Sequence, residues 1–225
     1  MSVASTYIIF TTCFIVTFLI TGYVYSNNSN RLFYSNGEMA GSTEKLIMLH
    51  CTAFVLLGII PLLITRNPFF TIVSINHKLP APWILLFVIT FIFLVFTGRV
   101  SGKNILIRKN HSISFSQKFL NLYYPVRILF LGAYELFFRG FLLFELNSKF
   151  GVITSITVST MLTVLIHVFT NKKEMLACIP FGITLSLFCI SINAVWPAII
   201  LHIALSFSYE LPAVQQFHTH LKPAK

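Results

Sequence analysis

Long apolar runs separated by short polar stretches make up most of the chain. Seven can be marked, over about 7–25, 46–65, 82–98, 123–146, 151–170, 174–192 and 194–211. A run of about 17–25 residues matches a hydrocarbon core about 30 Å thick, so each predicts a membrane-crossing helix. The predicted fold class is therefore all-α, a polytopic integral membrane protein of about seven transmembrane helices, with residues 1–225 forming one domain. Between the second and third runs, Pro68, Pro80 and Pro82 predict an irregular connection from Arg66 to Pro82. In the longer stretch from Arg99 to Asn121, Ile105, Leu106, Ile107, Ile113, Phe115, Phe119 and Leu120 alternate with Lys, Arg and Ser. That pattern fits a short interfacial amphipathic helix and an ordinary basic loop equally well.

Composition narrows the class. Hydrophobic residues make up 56% of the chain and charged residues 10%, and the mean hydropathy is +0.82. A soluble domain of this size is excluded by those values. The formal charge of +10 need not signal nucleic acid, because its distribution fits the cytoplasmic bias of Lys and Arg. With the N-terminus outside, inside loops hold eleven of these residues and outside loops only Arg66, Lys78 and Lys149. The expected orientation is N-terminus outside and C-terminus cytoplasmic. The first run lacks a basic region before it and a small-x-small site after it, so it reads as a retained helix rather than a cleaved signal. Short loops without extra domains suggest a bacterial plasma membrane.

Several chemistries drop out. All six acidic residues are Glu, which excludes proteolysis by paired Asp. Cys13, Cys51, Cys178 and Cys189 lie in apolar runs without a Cys-x-x-Cys pair, so neither a zinc site nor a disulfide framework is indicated. No internal repeat, nucleotide-binding Gly pattern, His-Glu-x-x-His signature or Gly-x-Ser-Gly loop is present. The expected partners are the lipid bilayer and a membrane-associated peptide or protein, not nucleic acid.

What remains is a small set of polar residues inside apolar runs. Glu135 and Arg139 lie in the fourth, and each such charge costs roughly 2.5–3.5 kcal/mol on insertion scales, which makes an intramembrane ionisable residue a functional candidate. Their i, i+4 spacing puts them on one helical face, carboxylate first. His167 ends the fifth run. His202 sits in the middle of the seventh, with Ser206 one turn later. Two histidines and a carboxylate on three helices can form a general-base pocket, or they can ligate a metal. The residues alone leave both open. His50 in the second run reads as a packing histidine, and His218 and His220 in the tail as solvated residues.

The stretch Tyr134-Glu135-Leu136-Phe137-Phe138-Arg139-Gly140 resembles the first motif of the CPBP intramembrane protease family (CAAX proteases and bacteriocin-processing enzymes, also called Abi), Glu-Glu-x-x-x-Arg. His167 resembles the histidine of its second motif, Phe-x-x-x-His. Phe181-Gly182-Ile183 and Trp196-Pro197-Ala198-Ile199, followed by His202, resemble its third region, with His-x-x-x-Asn or Asp. The resemblance covers residues 123–211. It implies a catalytic core there and an intramembrane glutamic endopeptidase without metal or other cofactor. By position, Glu135 and His167 activate water, His202 faces the oxyanion, and Arg139 holds Glu135. Three positions depart from the pattern. Tyr134 stands where the first Glu belongs, Thr163 where motif two has Phe, and Ser206 where motif three has Asn or Asp. A one-residue step turns a helix about 100°, so Glu135 does not point where residue 134 points. The alternative implied by Tyr134 and Ser206 is a catalytically silent relative acting in peptide binding, bacteriocin self-immunity or regulation of a membrane partner. A small transporter or channel is disfavoured, because repeats are lacking and the polar residues gather in runs four, five and seven.

Overall fold

A computed structural model describes residues 3–26, 32, 42–64, 81–107, 115–170 and 172–220. The described residues are almost wholly helical, and no strand occurs among them. We label the helices α1 (Val3–Ser26), α2 (Thr43–Phe54, continuing through a π-helical turn Val55–Ile59 into Ile60–Ile64), α3 (Ala81–Ile107), α4 (Gln117–Glu135, continuing through a π-helical turn Leu136–Leu142), α5 (Leu143–Ile166, followed by the 3-10 turn His167–Phe169), α6 (Lys172–Ile192) and α7 (Trp196–His220). Most of the expected connection from Arg66 to Pro82, the middle of the basic loop and the side chains of His218 and His220 lie outside the described residues.

Local signals explain several boundaries. Ser42 caps α2 by accepting from the Lys45 N–H at 3.3 Å, and Ser116 caps α4 by accepting from the Phe119 N–H at 3.2 Å. Asn193 takes the left-handed conformation (φ 53°) between α6 and α7, a residue type that tolerates it. The N-terminal part of the stretch from Arg99 is helical, because α3 runs on to Ile107. Two glycines let it do so. A Cβ at Gly98 would sit 2.0 Å from Ser208 Oγ and one at Gly102 2.3 Å from the Tyr209 carbonyl oxygen, so α3 approaches α7 at backbone distance.

Among the described residues six helices are long and apolar enough to cross a membrane: Ser5–Ser26, Thr43–Ile64, Ala81–Asn104, Gln117–Phe169, Lys172–Ile192 and Trp196–Gln215. The expected fourth and fifth runs fall in a single 53-residue stretch. As one rod it would be about 80 Å long. Ser159 Oγ, however, donates to the Phe138 carbonyl at 2.9 Å, and 21 residues of continuous helix would hold those atoms about 31 Å apart. The chain therefore reverses within the stretch. It does so at Gly151, whose φ of 80° and ψ of 173° break the helix.

Apolar side chains on the outer faces are exposed, including Leu19, Leu63, Phe96 and Ile153. They suit a lipid environment. Buried polar groups gather instead between α4, α5, α6 and α7: Glu135, Arg139, Ser159, Thr160, Thr163 and Ser186 are all in the interior. An aromatic cluster of Phe10, Phe137, Phe138 and Phe141 packs α1 on the π-helical turn of α4. Trp83 and Phe87 pack the other end of α3 on Phe188 and Trp196.

Candidate active site

Glu135 is the last residue of regular α4, and the π-helical turn Leu136–Leu142 carries Arg139. A π-helical turn adds a residue to the helix and is common at functional sites. The Phe138 carbonyl is bonded twice, by the Leu143 N–H as the turn requires and by Ser159 Oγ of α5. The turn is thus pinned to the neighbouring arm.

Glu135 and Arg139 are fully buried. Glu135 Oε2 lies 3.3 Å from an Arg139 terminal nitrogen, and Oε1 lies 2.5 Å from His202 Nδ1. Among the described residues the guanidinium makes no well-aligned hydrogen bond, so the ion pair with Glu135 is its main compensation. Gly182 of α6 gives it room: a Cβ there would sit 3.0 Å from Arg139 Nη2 and 3.1 Å from Thr160 Cγ2.

A cavity of about 430 Å³ opens beside this group. His167, His202, Ser206 and Tyr134 line it, whereas Glu135 and Arg139 do not. His167 donates through Nδ1 to the Thr163 carbonyl at 2.9 Å, since a carbonyl only accepts, and Nε2 is left as the basic nitrogen. Thr163 is itself buried and gives its hydroxyl to the Ser159 carbonyl at 2.9 Å. In His202, Nδ1 faces Glu135, so Nε2 is again the second nitrogen. The Tyr134 ring meets both imidazoles edge to face, with centroids 6.3 Å from His167 and 5.7 Å from His202. The 100° step between residues 134 and 135 is visible here: Tyr134 faces the cavity while Glu135 stands behind His202. The carboxylate therefore contacts His202 and not His167, unlike the pairing that the motif order implies.

Ser206 is drawn into a second polar cluster. Arg127 donates to Ser206 Oγ at 3.1 Å and to His50 Nε2 at 3.0 Å, and pairs with Glu210 Oε1 at 3.2 Å. Tyr123 donates to the other Glu210 oxygen at 3.1 Å. Arg127, His50 and Glu210 line the same cavity as the two motif histidines. Sequence reasoning took His50 for packing and did not use Arg127 or Glu210. The available signal was Arg127 itself, the only other Lys or Arg inside an apolar run. No group of three or more His, Cys, Asp or Glu among the described residues is arranged to hold a metal ion.

Residues 119–208 match the family model described as Type II CAAX prenyl endopeptidase Rce1-like. The match includes Tyr134, Glu135, Arg139, His167, His202 and Ser206. No curated protein and no solved structure matches the chain. The match thus falls on four of the helices that line the cavity, α4 to α7, in an integral membrane protein.

Proposed function

We propose that the chain is an intramembrane endopeptidase that hydrolyses a peptide bond of a membrane-associated substrate in the cavity lined by His167 and His202. The observation that carries this reading is the buried chain Arg139–Glu135–His202, which delivers an oriented imidazole to the same cavity wall as His167. In the reaction, water gives a proton to His167 Nε2 as its oxygen attacks the scissile carbonyl carbon. The carbonyl π electrons move to oxygen, and His202 donates a hydrogen bond to that oxyanion through Nε2. Glu135 acts through His202: it fixes the ring and balances the charge of the imidazolium, as the carboxylate does in a hydrolase triad. Collapse of the intermediate breaks the C–N bond, the leaving nitrogen takes the proton from His167, and a carboxylic acid and an amine leave.

A second reading is favoured by Tyr134. Where the family motif has a carboxylate, the cavity wall has an aromatic ring that contacts both imidazoles. In that reading the pocket binds a peptide or a membrane partner without cutting it, as in bacteriocin self-immunity.

The test is cleavage of a library of prenylated and unmodified membrane-associated peptides by the full chain in lipid nanodiscs, read by mass spectrometry. The endopeptidase reading expects cleavage by wild type and a fall of about 10²-fold or more in His167→Ala and in His202→Ala. An inert wild type beside an active Tyr134→Glu would support the binding reading. Inertness of both proteins would sink the endopeptidase reading.

A further inference from the structure

The cluster of Arg127, His50, Ser206 and Glu210 borders the site but has no role in the reading above. Ser206 stands one helical turn after His202, where the family motif has Asn or Asp. A side-chain amide at that position could donate toward a substrate oxygen. The Ser206 hydroxyl cannot do so as placed, because it has one hydrogen and gives it to Glu210 Oε1 at 3.3 Å while its oxygen accepts from Arg127 Nη2. The group that offers charge at this place is the guanidinium, 3.1 Å from that oxygen.

We propose that Arg127 is a catalytic residue of this chain, supplying the second donor, beside His202, to the oxyanion formed on the scissile carbonyl. The proposal rests on the endopeptidase reading. Three observations support it. Arg127 lines the cavity that holds His167 and His202, and its side chain is 20% exposed. It is held from three helices before any substrate arrives: His50 Nε2 of α2 and Ser206 and Glu210 of α7 fix its two terminal nitrogens, and the Phe130 ring of α4 lies beneath it at 5.5 Å. Donors fixed in advance cost no reorganisation when charge develops. The third is its place: Arg127 Nη2 lies 3.1 Å from Ser206 Oγ, and Ser206 follows His202 by one helical turn, so guanidinium and imidazole border the same side of the cavity. Glu210 balances the cation in the resting protein and competes with the oxyanion for it.

The experiment uses the full chain in nanodiscs and two readouts. The first is the turnover of the best peptide from the library. The second is the binding of N-acetyl-leucyl-leucinamide with its central amide replaced by a phosphinate, a tetrahedral anion, against the neutral methyl ester of the same compound. Wild type is expected to prefer the anion about tenfold or more. Arg127→Met is expected to lose that preference and to lower kcat about 10²-fold with little change in KM. Arg127→Lys should keep part of both, and Glu210→Gln should widen the preference because the competing carboxylate is gone. If Arg127→Met does not fold, the pair Arg127→Lys and Glu210→Gln decides: an unchanged anion preference in both overturns the proposal. Wild-type turnover with full turnover in Arg127→Met overturns it too and leaves the endopeptidase reading standing. A wild type that cuts nothing, yet loses anion preference in Arg127→Met, ends the endopeptidase reading and keeps Arg127 as an anion-binding residue.

Discussion

Replacing Glu135 by Gln strands Arg139, and the structure sets the size of the effect. The Arg139 side chain is 1% exposed, and its guanidinium has the Glu135 carboxylate at 3.3 Å as its main compensation among the described residues. Removing one partner of a buried pair costs about 3–5 kcal/mol, because the other charge stays buried and unpaired. Removing both is far cheaper. The Glu135→Gln/Arg139→Met double variant should therefore recover most of the loss and sit within about 1 kcal/mol of wild type. Arg139→Met alone should fall between the two, since Glu135 still has His202 Nδ1 at 2.5 Å. Reversible unfolding in mixed detergent micelles, carried round the full cycle, measures all four proteins. Activity separates from stability in the double variant: it should stay folded and yet lose peptide cleavage, because a carboxamide does not balance a charged His202. Two results would refute the reasoning. One is a Glu135→Gln protein within about 1 kcal/mol of wild type. The other is a double variant no better than that single one.

Glycines give a graded test of packing. Gly102→Ala would place its Cβ 2.3 Å from the Tyr209 carbonyl oxygen and should push α3 off α7, costing more than the 1–3 kcal/mol usual for overpacking. Gly132→Ala, with nothing within 4 Å, should be neutral or raise the midpoint of thermal unfolding, since Ala is the better helix former by about 1 kcal/mol. Ser159→Ala removes the bond to the Phe138 carbonyl and should cost about 1–2 kcal/mol of stability in the same micelle titration. It should also loosen the π-helical turn, read as faster hydrogen exchange at Arg139 and Gly140.

Much of the fold was legible because the membrane restricts the choices. Apolar runs long enough to span a bilayer can only be helices when their backbone groups must pair internally. What the runs could not give is the local geometry of the chain inside them. The π-helical turn at Leu136–Leu142 has no composition of its own, and the bond that pins it comes from Ser159, 21 residues on, as a second donor to the Phe138 carbonyl. The continuation of α3 to Ile107 was hidden in the same way. Lys103 and the polar residues around it look like loop until α7 supplies a partner, and Gly98 and Gly102 are the only trace of that partner in the sequence.

The candidate site was legible in proportion to how costly its residues are. Glu135, Arg139, His167 and His202 announce themselves because charge and imidazole are rare in apolar helices. The same cost applies to Arg127, yet its partner was obscured: Glu210 falls at the point where the seventh run turns polar, and reads as the start of a tail. In the structure α7 continues to His220, and this carries Glu210 into the interior, 5% exposed, against Arg127 and Tyr123. The motif order also hid a division of labour. It places one carboxylate among three polar residues and invites pairing with either histidine, whereas helical geometry allows only one. Residue 134 turns to the cavity and residue 135 away from it. In the endopeptidase reading the glutamate therefore acts on substrate through His202, and the charge proposed to meet substrate directly is that of Arg127, on the cavity wall.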